Sequence, residues 1–184
     1  MPKINSPKAW LLAARPKTLT GAMIPVMLAG SLAFYNDTFK PSLWICCAAF
    51  ACLMQIAANF INDIYDFLKG TDRKDRLGPE RACAQGWITP KAMKIGIFVD
   101  VSIACAFGLL AVALSWETLP YHGLEFIVLG AVCVIFAFLY TIGLSYLGLG
   151  DILVLVFFGF VPVCGTYYLQ ALTIDAGALI LSVI

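Results

Sequence analysis

The sequence predicts an all-α integral membrane protein, a helical bundle with five complete spans and the start of a sixth. Three observations lead there. Of 184 residues, 61% are apolar and only 12% are charged, too little charge to cover a water-soluble domain of this size; the mean hydropathy is +0.90. The apolar residues gather into stretches of about twenty, the length that crosses about 30 Å of hydrocarbon at about 1.5 Å per helical residue. The basic residues cluster as well: of twelve Lys and Arg, four lie at 3–17 and seven at 69–94, Lys40 stands alone, and none follows Lys94. Positive charge collects on cytoplasmic loops, and two basic segments separated by two spans face the same side. The net charge is only +1, so nothing points to nucleic acid.

Residues 5–17 predict a short interfacial helix. Ser6 can cap it and Pro7 suits its first turn, while Trp10, Leu11 and Leu12 dip into lipid and Lys8, Arg15 and Lys17 face headgroups. A basic start before an apolar run also fits a signal peptide, but several similar spans follow and the cleavage signal is poor. Span 1 is expected over 18–35, with a kink at Pro25, and span 2 over 42–66. A polar, charged loop follows at 67–90. Spans 3, 4 and 5 are expected over 91–115, 124–141 and 151–170, and a sixth begins near 176 and runs to Ile184. Together they read as one transmembrane domain, residues 1–184, without internal repeats.

Alternation puts the N-terminus and the loops at 67–90 and 142–150 on the cytoplasmic side, with 36–41 and 116–123 opposite. Asp100, inside span 3, is expected to face a partner or cavity rather than lipid. Of the seven cysteines, six sit in apolar runs and none forms a CxxC pair. They read as small hydrophobes between helices, not as disulfides or a zinc site. His122, the single histidine, falls in a loop on the far side, so histidine chemistry is not expected.

The stretch 55–81, QIAANFINDIYDFLKGTDRKDRLGPER, carries the chemistry. Residues 42–61 already span the hydrocarbon, so Asn62, Asp63 and Asp66 emerge at the membrane–water boundary. Asn59, Asn62, Asp63 and Asp66 are spaced i, i+3, i+4, i+7, which on a helix is one face. Two carboxylates and two amides at the end of a span repel unless a divalent cation joins them, and hard oxygen ligands suit Mg²⁺, which takes one or two protein carboxylates, waters and phosphate oxygens. The adjoining loop supplies Lys69, Arg73, Lys74, Arg76 and Arg81, interleaved with Asp72, Asp75 and Glu80. Arg forks onto phosphate oxygens and Lys acts as a point charge. A metal–diphosphate site and an ordinary membrane interface, acidic helix end beside basic loop, both fit these residues.

The pattern Asn59-x-x-Asn62-Asp63-x-x-Asp66-x-x-x-Gly70-x-Asp72, with Asp75-Arg76-x-Gly78-Pro79-x-Arg81 after it, resembles the first aspartate-rich motif of the UbiA superfamily of intramembrane prenyltransferases. The third acid at Asp72 resembles the 1,4-dihydroxy-2-naphthoate prenyltransferase branch. Ala14-Arg15-Pro16-Lys17-Thr18-Leu19, Tyr140-Thr141, Gly148-Leu149-Gly150-Asp151, Phe157-Phe158-Gly159 and Gly165-Thr166-Tyr167-Tyr168 agree with it. The family has a second aspartate-rich motif in its later half. This chain stops at Ile184 ahead of one, so it reads as C-terminally truncated. Thr141–Gly150 also looks shorter than usual and lacks a basic residue often found there.

The resemblance implies transfer of a polyprenyl group from polyprenyl diphosphate to 1,4-dihydroxy-2-naphthoate, giving demethylmenaquinone, in the cytoplasmic membrane with the active site facing the cytoplasm. It implies Mg²⁺ held by Asn62, Asp63, Asp66 and Asp72. Asp63, Asp66, Lys69 and Arg76 are the implied catalytic residues, and Asn59, Asn62, Arg73, Arg81, Arg15 and Tyr140 the implied diphosphate-binding ones. Diphosphate departure would leave an allylic cation in an apolar cavity partly open to the lipid bilayer. Another aromatic acceptor such as 4-hydroxybenzoate, a membrane transporter, and an inactive fragment of the enzyme are the alternatives. Transporter acids usually sit near the midplane on broken helices, whereas these sit at one interface. A CDP-alcohol phosphotransferase would need a DGxxAR continuation that is missing after Asp66.

Overall fold

Prolines or short polar side chains start most of the described helices. The computed structural model describes residues 2–70, 80–142 and 150–183. Helix α1 (Pro7–Ala14) begins with the Ser6 hydroxyl accepting the Ala9 N–H at 3.3 Å and Pro7 in its first turn. It stops at Arg15, which takes a left-handed backbone (φ 52°) before Pro16. A 3₁₀ turn, Pro16–Thr18, then redirects the chain into α2 (Leu19–Tyr35), which carries Pro25 inside it.

Helix α3 (Pro41–Lys69) runs 29 residues, a length of about 44 Å. Gly70 ends it at φ 65°, its N–H reaching the carbonyls of Asp66 and Phe67, a left-handed cap that costs glycine little. Helix α4 (Pro90–Ser115) starts where Thr89 Oγ1 accepts the Ala92 N–H, and α5 covers Leu124–Ile142. The next span runs Gly150–Ala171 in three pieces: α6 (Gly150–Val154), a π-helical stretch (Leu155–Phe160) and α7 (Val161–Ala171). Asp175 caps the last, α8 (Ala176–Leu181). No strand occurs among the described residues.

The chain is therefore an all-α, multi-pass membrane protein. Among the described residues, four stretches are long and apolar enough to cross a bilayer, with Leu124–Tyr140 as a shorter apolar helix. Large apolar side chains such as Phe34, Ile95, Phe98 and Ile152 face outward, as a surface solvated by lipid tails requires. The π-helical stretch interrupts what the sequence presents as an even span. Pro162 supplies a reason, since a proline ring clashes with the carbonyl four residues back and the ladder widens ahead of it.

Helix α3 is the centre of the bundle, packing against α1, α2, α4, α5 and α7. On one side Ala57, Phe60, Ile61 and Ile64 of α3 meet Ala9 and Ala13 of α1, Met93 and Ile97 of α4, and Ala82, Cys83, Trp87 and Ile88 of the connecting segment. The Trp10 ring meets Phe60 edge-on at 5.4 Å and lies over Gly96, where a Cβ would come within 2.5 Å of it. On the other side Ala29 and Ala33 pack with Val163, Tyr167 and Ala178. The described end of the polar 67–90 loop is thus partly core: Arg81, Ala82, Cys83, Trp87 and Ile88 are all buried.

Candidate functional site

The C-terminal half of α3 carries Asn59, Asn62, Asp63, Asp66 and Lys69, and the structure divides them. Asn59 is buried; its Nδ2 donates to the Ala14 carbonyl at 3.0 Å and to Thr18 Oγ1 at 2.9 Å. It ties α3 to the elbow between α1 and α2. Thr18 Oγ1 donates in turn to the Arg15 carbonyl at 2.9 Å. Arg15 itself is half-buried at that elbow, and Lys17 beside it is exposed.

Asn62 faces an apolar cavity of about 420 Å³ enclosed by α2, α3, α4, α5 and the Gly150–Ala171 span. Small residues leave the space: Gly108, Ala111, Gly130, Ala137 and Gly165 all line it. Its polar wall consists of Gln55, Asn59 and Asn62 along α3, with Tyr140 and Thr166 across from them. Phe136 and Phe157 also line it, their ring centroids 4.9 Å apart.

Asp63 points elsewhere. It is 1% exposed, and its two oxygens accept the N–H groups of Ala82 at 2.7 Å and Cys83 at 2.8 Å. Asp66, one turn from Asn62, is partly exposed and forms an ion pair with Arg81. At about 100° per residue, Asn62 and Asp63 lie on opposite edges of their shared stripe, so one reaches the cavity while its neighbour reaches the 80–88 segment. The spacing argument places all four on one face but does not resolve this split.

Lys69 is exposed in the last turn of α3, outside the cavity lining. Asp72, Arg73 and Arg76 lie outside the described residues, as do Lys74, Asp75, Gly78, Pro79, Gly148 and Leu149. Among the described residues, no group of three or more His, Cys, Asp or Glu side chains is arranged to hold a metal ion. Asp100 is buried on α4 in a groove beside Trp10 and Phe60, away from the cavity. The His122 ring stacks on Trp116 in an exposed loop, and all seven cysteines are free thiols.

Sequence reasoning passed over Gln55 as a site residue. It lines the cavity, its Nε2 donates to Thr18 Oγ1 at 3.3 Å, and its Oε1 is buried with no hydrogen-bond partner among the described residues. The signal was present: Gln55 precedes Asn59 by four residues and Asn62 by seven, the spacing of one helical face. The opposite end of the molecule holds a second polar cluster. Asn36 Nδ2 donates to Tyr167 Oη at 2.6 Å, and Tyr167 Oη donates to Asp175 Oδ2 at 2.7 Å. The Ala178 N–H and the Tyr167 hydroxyl hold the Asp175 carboxyl below its ordinary pKa.

Residues 22–184 match the UbiA prenyltransferase family. The chain is 41% identical over 175 residues to the 1,4-dihydroxy-2-naphthoate octaprenyltransferase of Escherichia coli (strain K12), covering 94% of this chain and 56% of that protein. The Haemophilus influenzae protein of the same name is 36% identical, over 92% of this chain and 56% of its own length. Human UbiA prenyltransferase domain-containing protein 1 is 30% identical, over 88% of this chain and 47% of its own. The chain spans about half the length of these curated relatives. An apolar cavity with a polar wall on α3, the motif that opens beside it and a match from residue 22 to residue 184 lead to one conclusion: the chain belongs to the UbiA prenyltransferase family.

Proposed function

We propose that this chain contributes the donor side of a prenyltransferase that moves a polyprenyl group from its diphosphate to 1,4-dihydroxy-2-naphthoate, giving the quinol form of demethylmenaquinone. The observation that carries the reading is the cavity of about 420 Å³ whose polar wall runs along α3 through Gln55, Asn59 and Asn62, with the Asp66–Arg81 pair one turn further on. An isoprenoid tail needs the apolar part and a diphosphate the polar end. The acceptor is taken from the names of the bacterial relatives.

The residues fit a hard divalent cation. Asn62 and Asp66, at i and i+4, offer an amide and a carboxylate oxygen on neighbouring turns, and Mg²⁺ is commonly bound by one or two carboxylates, waters and substrate phosphate oxygens. Asp72 would add a further carboxylate. When bound, Mg²⁺ would neutralise diphosphate charge and favour its departure.

The chain's own groups supply the rest. The Arg81 guanidinium beside Asp66, with Lys69, Arg73 and Arg76, would set positive charge against the departing diphosphate. The faces of Phe136 and Phe157 stabilise positive charge on the allylic carbon, and the apolar lining keeps water from it. The electron-rich naphthoate ring forms the new carbon–carbon bond and loses its carboxylate as CO₂. Lys69, Arg81, Lys91 and Lys94 cluster at one end of the spans, which orients that end to the cytoplasm of a bacterial inner membrane.

The test is turnover of the full-length protein in nanodiscs containing polyprenyl diphosphate, with 1,4-dihydroxy-2-naphthoate or 4-hydroxybenzoate supplied separately. Prenylated product by mass spectrometry with the naphthoate alone supports the reading. Product with 4-hydroxybenzoate alone overturns the acceptor, and none with either overturns the enzyme.

A further inference from the structure

The two carboxylates of the α3 motif sit in different surroundings. The Asp66 side chain is 21% exposed, whereas Asp63 is 1% exposed. Each Asp63 oxygen accepts one backbone N–H, from Ala82 at 2.7 Å and from Cys83 at 2.8 Å. These are consecutive amides, so the carboxylate grips the chain immediately after Arg81. The Arg81 side chain then turns back onto Asp66.

We propose that Asp63 is a positioning residue: by clasping the backbone at 82–83 it holds the Arg81 guanidinium beside Asp66, ready for a diphosphate oxygen. The proposal rests on the diphosphate-site reading above. It removes Asp63 from the cation's ligands. Mg²⁺ gives up its water reluctantly and usually keeps several, and a carboxylate buried this deeply with both oxygens engaged has no room for a hydrated ion.

The surrounding chain is built around the same point. The N–H groups of Trp87 and Ile88 both donate to the Ala82 carbonyl, at 2.8 and 3.2 Å, and the Gln85 N–H donates to the Arg81 carbonyl at 3.0 Å. The Asn5 N–H reaches the Trp87 carbonyl at 2.7 Å, so the N-terminal segment closes over the turn. Ala82, Cys83, Trp87 and Ile88 are packed in the core with α1 and α3. A dry anchor of this kind fixes backbone position in a way that an exposed carboxylate cannot.

The experiment compares unmodified full-length protein in nanodiscs with Asp63→Asn and Asp66→Asn. Three readouts are taken: amide exchange at Ala82 and Cys83, Mn²⁺ affinity by electron paramagnetic resonance, and affinity for inorganic diphosphate at saturating Mn²⁺. In Asp63→Asn the two amides are expected to exchange at least about tenfold faster and diphosphate affinity to fall about tenfold, the loss of roughly one charge-assisted hydrogen bond. Mn²⁺ affinity is expected to stay within about twofold, while Asp66→Asn loses it.

An Asp63→Asn protein that loses Mn²⁺ as fully as Asp66→Asn, with both amides still protected, overturns the proposal and makes Asp63 a ligand. Unmodified protein that binds both probes, with Asp63→Asn unchanged in exchange and diphosphate affinity, overturns it too. Unmodified protein that binds neither probe removes the diphosphate site and the proposal together. Where Asp63→Asn does not fold, Arg81→Ala decides: diphosphate affinity should fall about tenfold with both amides still slow, and unchanged affinity or fast amides contradict the clasp.

Discussion

Asn59 on α3 donates its side-chain amide to Thr18 Oγ1 at 2.9 Å, joining the central helix to the turn that precedes α2. The same amide reaches the Ala14 carbonyl, so one buried side chain holds the ends of both neighbouring helices. Asn59→Ala leaves those acceptors without their donor in a dry site. It should cost about 1–3 kcal/mol, read as a lower thermal midpoint in detergent. Asn59→Asp should cost more, because a carboxylate there faces the Ala14 carbonyl oxygen with no proton to offer.

Asp66 has two tasks in the proposed site, a cation oxygen and the Arg81 partner. Asp66→Ala in the full-length protein should therefore lower turnover by at least about hundredfold, the scale of losing one preorganised electrostatic group. Steady-state assays with saturating donor and acceptor check this. Turnover within a few-fold of the unmodified protein would remove Asp66 from the site.

The cavity predicts a length preference that can be altered from its wall. Gly130 lines it, and a Cβ there meets nothing within 4 Å, so Gly130→Phe would place a ring in the space itself. Long-chain polyprenyl diphosphates should lose kcat/KM by about tenfold or more relative to short ones, the cost of one misplaced bulky group. Competition between donors of two lengths measures the ratio.

Gly159 predicts the opposite, a site with no room. A Cβ on it would collide with the Ser182 carbonyl oxygen, a backbone atom that cannot rotate away. Gly159→Ala should cost about 1–3 kcal/mol by overpacking. Gly21→Ala, where a Cβ meets nothing within 4 Å, is the control expected to be near neutral. Thermal melts of both variants make the comparison.

At the far end, Asp175 predicts an acid-sensitive cap. The Ala178 N–H, the Tyr167 hydroxyl and the Asn36 amide favour its charged form, lowering the pKa from 3.8. A carboxyl depressed in the folded state adds stability above its unfolded pKa and loses it as pH falls through the folded value. Stability should therefore decline on acidification below pH 3.8, and Asp175→Asn should flatten that decline. Equal slopes for the two proteins would contradict it.

Much of this was legible in the sequence because hydrocarbon thickness is an unforgiving ruler. Runs such as 42–61 cannot be other than spans, and Ser6 and Pro7 mark where the first helix starts. The i, i+3, i+4, i+7 spacing likewise brought Asn59, Asn62, Asp63 and Asp66 together before any coordinates. What periodicity cannot express is which edge of a face meets which neighbour. Asn62 turns to the cavity and Asp63 to the amides of Ala82 and Cys83 because α3 is enclosed on several sides at once. The 67–90 stretch reads as a polar, charged loop, and the same limit hides that its described residues 81–88 are partly packed into the core. Its charges are obvious in the sequence, but Arg81 is buried beside Asp66, and Ala82, Cys83, Trp87 and Ile88 pack in the core with α1 and α3. The widened stretch at Leu155–Phe160 follows from Pro162, a local cause that a hydropathy window averages away.

The most direct test of the central claim is prenyl transfer by the full-length protein in nanodiscs, with 1,4-dihydroxy-2-naphthoate, polyprenyl diphosphate and Mg²⁺, followed by chelation and Mg²⁺ restoration. The account predicts decarboxylated, prenylated naphthoquinol that forms with Mg²⁺, stops on chelation and resumes on restoration. Product formation unaffected by chelation would contradict the assignment of Asn62 and Asp66 to a cation, and no prenylated product under any condition would contradict prenyl transfer itself.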